Sequence, residues 1–184
     1  MSLAIKAERA LARYLLGVAP FLIAAPGEFV LTDEGARIRL SSGFEFNFAV
    51  LTGQGACEVS GPCLIALCAE AIQDNTQQFT LNHLCQLEAR LKFPVDAESN
   101  LGTAAELLSC WEYAASQLVL ALYRDDLAER LTANEPDFTC LYLPGPRAQT
   151  SGFEAEDRLR VFSVLLPAVC TSVFIPQEEP APTP

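Results

Sequence analysis

The chain has 184 residues, 51% of them hydrophobic, and carries 23 acidic against 12 basic side chains for a formal charge of −11. That length and apolar content suffice for one ordinary domain with its own core, and the even spread of acidity excludes gripping DNA through clustered Lys and Arg. Apolar runs such as 15–25 and 118–123 are too short, or too interrupted by Gly and Pro, to span a bilayer.

In chain order, SLAIKAERALARYLLGV predicts a helix over 3–18, with Ala7, Leu11, Tyr14, Leu15 and Val18 on one stripe. Lys6, Glu8, Arg9 and Arg13 lie off that stripe, and Pro20 is expected to end the helix. Charges at helical spacing distinguish this segment from a secretory signal. Residues 26–62 change character: RIRL, FEFNFAV and ACEV, separated by turn residues, read as short antiparallel strands or a hairpin arm. Phe44, Phe46 and Phe48 alternating with Glu45 and Asn47 mark a half-buried strand. CLIALCAEAIQ at 63–73 is apolar enough for a central strand, although its alanines leave a helix open, and NTQQ at 75–78 is expected to turn the chain.

LNHLCQLEARLKFPVD, 81–96, then alternates over most of its length, with apolar residues at odd positions and Gln86, Glu88, Arg90 and Lys92 among the even ones. Side chains two apart share a face of a strand, so this is a long strand with one dry and one wet face. Residues 103–131 predict the strongest helix. Thr103 and Glu106 have capping-box spacing, the apolar stripe runs through Ala104, Leu107, Leu108, Trp111, Ala115, Leu118, Val119 and Leu122, and a bend at 124–126 can start a second short helix. FTCLYLP and RLRVFSVLLPAVC predict two strands, at 138–144 and 158–170, joined by a polar contact loop over 144–157. The whole reads as an α+β domain over 1–176: a mixed, largely antiparallel sheet with helices packed on one face and 26–62 as a β-rich arm or insertion. A disordered Pro-rich tail is expected at 177–184.

No motif for catalysis stands out. His83 lies on the apolar side of its strand beside Cys85, and residues two apart on a strand are about 7 Å apart, too far for a thiol–imidazole hydrogen bond. The cysteines show no CxxC spacing, a single His cannot supply an imidazole set, and GQG at 53–55 lacks the ending of a phosphate loop. Seven cysteines, odd in number and mostly in apolar segments, read as reduced, cytosolic thiols. Asp125, Asp126 and Glu129 read as a solvated helix face and Trp111 as core. The expectation is therefore a non-enzyme without cofactor or metal.

The order of elements resembles that of the tail terminator (tail completion) proteins of long-tailed bacteriophages. The resemblance rests on the N-terminal helix, the apolar strand phrase GPCLIALCAEA and the alternating CQLEARLKFPVD, then on LLSCWEYAASQLVLALYRDDLAERL and on FTCLYLPG, a polar loop and EDRLRVFSVLLPAV. It spans about residues 3–170. It implies a virion protein, made in the host cytoplasm, that forms a homo-oligomeric ring, a hexamer in that family, at the head-proximal end of the tail tube. Such a ring ends tube growth, and its partners are the tail tube protein and a head completion or connector protein. DNA would pass its acidic lumen without specific binding, and no membrane would be involved. The interface residues expected on this reading are Glu88, Arg90 and Lys92 of the charged strand face, Arg147 and Phe153 of the 144–157 segment and Arg158 directly after it. A small acidic dimeric binding module or chaperone would account for the same charge and lack of motifs.

Overall fold

A computed structural model describes residues 2–22, 27–32, 35–52, 61–77, 80–95, 101–136, 138–143, 147–156 and 158–173. Within them the chain is an α+β fold. Helix α1 (Leu3–Leu22) is followed by strands β1 (Gly27–Thr32), β2 (Gly35–Leu40), β3 (Glu45–Thr52), β4 (Cys63–Gln77) and β5 (Thr80–Pro94). Helices α2 (Leu101–Leu122) and α3 (Leu127–Asn134) come next, and β6 (Thr139–Tyr142), β7 (Ala148–Glu154) and β8 (Leu159–Val173) complete the order. The expected strand ACEV and the Pro-rich tail lie outside the described residues.

One sheet of eight strands runs β1-β2-β3-β4-β5-β8-β6, with β7 also paired to β8. Among the described residues only β3 and β4 run parallel. β4, β5 and β8 are 15 residues each, and β5 pairs with β8 over its entire length, from Thr80↔Val173 to Pro94↔Leu159. The segment expected as an arm is part of this sheet. Ile38 and Leu40 of β2 and Phe48 of β3 are buried in the same cluster as Leu87, Leu91 and Leu166.

The alternation in β5 sorts its residues as period two requires. His83, Cys85, Leu87, Ala89, Leu91 and Phe93 are buried on the face that carries the helices. Across that face an aromatic chain runs from Phe46 to Phe93, 5.1 Å between ring centroids and edge-on, then to Trp111 of α2 at 6.4 Å and Phe162 of β8 at 6.2 Å. The strand marked by three phenylalanines thus meets β5 through Phe93. The opposite face has its own small cluster, Cys63, Ile65 and Leu67 with Ala49 and Leu51, built from strand residues alone.

Several expectations change. Pro20 sits inside α1, which continues to Leu22; a proline so near the end removes one hydrogen bond and leaves only a short stub beyond it. β4 runs through most of NTQQ to Gln77. The bend before α3 is where it was expected, but the buried stripe of α2 is rotated: Leu107, Cys110, Trp111, Ala114, Leu118 and Leu122 are buried in the core, while Leu108 is exposed. The capping box does not form, because α2 begins at Leu101 and places Thr103 within the helix. Glu106 binds the β2–β3 turn instead. Its carboxylate accepts from the Ser41 N–H at 2.5 Å, the Ser42 N–H at 3.1 Å and the Ser41 hydroxyl. Gly43 closes that turn at φ 84, where a side chain would be strained.

Glu8 differs most from its expected place. Its side chain is buried, and its Oε1 accepts from the Cys68 backbone N–H at 3.1 Å. Among the described residues β3 pairs with β4 as far as Ala66, and two residues further on the Glu8 carboxylate satisfies a backbone N–H of β4. Two further ties hold α1: the Tyr14 hydroxyl donates to the Ala121 carbonyl at 2.6 Å, and Arg13 donates to the Asn134 carbonyl at 2.6 Å while pairing with Glu135.

Candidate functional site

The 144–157 segment was expected to be a loop. Residues 148–154 of it are a strand, β7, antiparallel to β8 from Ala148↔Leu165 to Glu154↔Leu159. All its residues but Glu154 are exposed. An edge strand with no dry face shows no alternation, so AQTSGFE reads as loop until its pairing is known. The base of the hairpin is fixed to the end of α2. The Arg147 guanidinium lies 4.8 Å over the Tyr123 ring, the Tyr123 hydroxyl donates to the Arg147 carbonyl at 2.9 Å, and Gln149 donates to that hydroxyl at 3.2 Å. Phe153 is 60% exposed. Arg158, in the turn into β8, adopts φ 51, and its carbonyl accepts from the Val95 N–H at 3.1 Å.

The charged face of β5 is satisfied within the subunit. Arg90 pairs with Glu88 at 2.8 Å, and Lys92 pairs with Glu154 of β7 at 2.9 Å with only 3% of its side chain exposed. Of the six expected interface residues, Arg147, Phe153 and Arg158 therefore share an exposed hairpin, while Lys92 is tied beneath it and Glu88 and Arg90 form a half-buried pair alongside.

The chain matches no protein-family model and no curated protein.

Two other features are chemically suggestive. A cleft of about 330 Å³ opens between α1 and α3, lined by Arg13, Tyr14, Val18, Arg130 and Asn134 among others. Both arginines face carboxylates already: Arg13 pairs with Glu135, and Arg130 with Asp126, which also binds Arg124. These two cations hold the Asp126 carboxyl well below its ordinary range. The cleft is therefore poorly suited to an anion.

The second feature is a row of thiols. Cys68, Cys85, Cys170 and Cys140 lie on four adjacent strands, β4, β5, β8 and β6, all buried in the core beneath the helices. Hydrogen bonds from Cys170 and Cys68 push the Cys85 thiol down to about 4, against burial, and His83 adds a smaller electrostatic effect in the same direction. The hydrogen bond with Cys170 also lowers Cys140, whereas Cys170, which shares its one proton between the Cys140 and Cys85 sulfurs, is pushed up. His83 is buried on the same face, and the Cys85 sulfur lies 3.9 Å from the His83 carbonyl oxygen. Sequence parity revealed His83 and Cys85 on one face; the sulfur neighbours of Cys85 come from residues up to 85 positions away and needed the strand register. Among the described residues no three His, Cys, Asp or Glu side chains are grouped to hold a metal ion.

Proposed function

We propose that this chain is a structural subunit that assembles head-to-tail into a closed ring, acting as a phage tail terminator at the head-proximal end of the tail tube. The observation that carries the reading is the open sheet with two unlike edges. Among the described residues β1 closes one side, and β6 and the exposed β7 hairpin close the other. Head-to-tail rings require two different, complementary surfaces on each subunit, and unlike sheet edges supply them. The ring would be a hexamer that ends tube polymerisation and meets the tube protein on one side and a head completion or connector protein on the other. The excess of acidic residues supports a lumen that repels the phosphates of passing DNA. On this reading the role is structural, in the virion, with Arg147, Phe153 and Arg158 of the hairpin as the principal contacts and the half-buried Glu88–Arg90 pair beside them, Lys92 holding the hairpin from beneath.

The test is the mass in solution by light scattering across concentration, with negative-stain images, alone and after mixing with tail tubes. Rings, or density capping the tubes, are expected, and Phe153→Glu should lose them while folding normally. A dimer at every concentration that leaves tubes uncapped would overturn the proposal in favour of an acidic dimeric binding module.

A further inference from the structure

We propose that Cys140 and Cys170 form an oxidative modification site: a cross-strand thiol pair that hydroperoxides convert to a disulfide, with Cys85 adjoining as a third, exchangeable thiol. This inference is independent of the ring.

Register and hydrogen bonding make the geometric case. Cys140 lies directly opposite Cys170 in the antiparallel pair β6–β8. The Cys140 N–H donates to the Thr132 hydroxyl of α3 at 3.0 Å, away from β8. The pair is therefore of the non-hydrogen-bonded kind, in which facing Cα atoms stand about 4.5 Å apart, at the near end of the range a disulfide spans. Cys85 pairs with Ala168, two residues from Cys170, which sets it diagonally across the next strand gap on the same face. The sulfurs stand in a row across strands and do not converge on one point. That arrangement favours sulfur–sulfur bonding over metal ligation.

Buried thiols are ordinarily inert, so access matters. β6 has four residues, lies at the end of the sheet, and shifts register between Cys140 and Tyr142. Leu141 and Tyr142 beside Cys140 are exposed. Short, irregular terminal strands are the parts of a sheet that open first. Cys140, 5% exposed, is accordingly the thiol that meets oxidant, and the hydrogen bond from Cys170 favours its thiolate.

The Cys140 thiolate attacks one peroxide oxygen and the O–O bond breaks. The departing oxygen leaves as hydroxide, or as alkoxide from an organic hydroperoxide, and takes up a proton, leaving a sulfenic acid on Cys140. The Cys170 sulfur then attacks the sulfenic sulfur, the S–O bond breaks, and the expelled hydroxide leaves as water with the Cys170 proton. The two sulfurs have lost two electrons and the peroxide has gained them. The product ties β6 to β8, and with β6 the Thr132 contact of α3.

The experiment treats the native full-length chain with hydrogen peroxide at near-stoichiometric amounts, alkylates remaining thiols in denaturant, and maps peptides by mass spectrometry. The expected result is loss of two hydrogens, a Cys140–Cys170 linked peptide reversed by dithiothreitol, and a melting temperature raised by roughly 5–10 °C. Cys140→Ala, confirmed folded by circular dichroism, should give no such link. Full alkylation of both cysteines after treatment, oxidation stopping at a sulfinic acid, or a first-formed disulfide elsewhere would overturn the proposal. The wild-type map decides the matter even if the variant fails to fold.

Discussion

Two carboxylates, Glu8 and Glu154, bear on stability for different reasons. Burial pushes the Glu8 carboxyl above its ordinary range, more than the Cys68 N–H pulls it down. A folded-state value above the unfolded one means that the stabilisation from this group is fully present below the unfolded carboxylate range and is lost as pH rises through the folded value. Glu8→Gln keeps an acceptor for Cys68 and drops the charge. Urea midpoints at pH 4 and pH 7 should therefore show the wild type losing ground to this variant as pH rises. Glu8→Ala, which orphans the N–H, should destabilise by about 1–3 kcal/mol at either pH. Glu154, with a third of its side chain in solvent, matters for a different reason: it is the counter-charge of the buried Lys92. Glu154→Gln leaves an ammonium in a dry place beside a neutral partner, with an expected loss of about 1–3 kcal/mol, whereas Lys92→Met should change stability by less than about 1 kcal/mol. Paired denaturation curves check the contrast, and equal losses would mean that packing of the lysine stem, not its charge, is what counts.

Among the elements, the β2–β3 turn and α2 depend on one side chain. Glu106 gathers the Ser41 hydroxyl and the N–H groups of Ser41 and Ser42; the side-chain bond from Ser41 first, then the others, hold its carboxyl below the ordinary range, so their contribution is present above the unfolded carboxylate range and is lost on acidification through the lower folded value. Glu106→Ala should speed amide exchange at Ser41 and Ser42 about tenfold or more and leave β5 and β8 protected; hydrogen exchange by NMR reads both. The elements legible in the sequence are those with two unlike faces. β5 was readable because its odd residues enter the core and most even ones do not, and the Phe44, Phe46, Phe48 run was readable for the same reason. β7 was not, since a strand exposed on both faces has no pattern to show. Glu8 on α1 looked solvated because its reason for burial, the Cys68 N–H of β4, belongs to another part of the chain. Glu106 had the spacing of a local cap and used the same carboxylate on a distant turn.

For the molecule as a whole, the hairpin turn offers a test that separates folding from assembly. Arg158 occupies the left-handed region, which costs a side-chain-bearing residue about 1–2 kcal/mol and glycine little. Arg158→Gly should fold at least as well, with a gain of up to about 1 kcal/mol after glycine's greater unfolded-state freedom. On the ring reading the same variant should assemble more weakly, as judged by light scattering; undiminished rings would remove Arg158 from the interface. A second molecule-wide consequence concerns Trp111. It is the sole tryptophan in the chain, 9% exposed and set between Phe93 of β5 and Phe162 of β8. Its fluorescence should be blue-shifted while α2 is docked and move to the red when helix and sheet part. Fraying of β1 or of the β7 hairpin would leave that emission unchanged. The chain thus carries a built-in optical gauge of one event, the seating of α2, against which every other loss of structure can be timed.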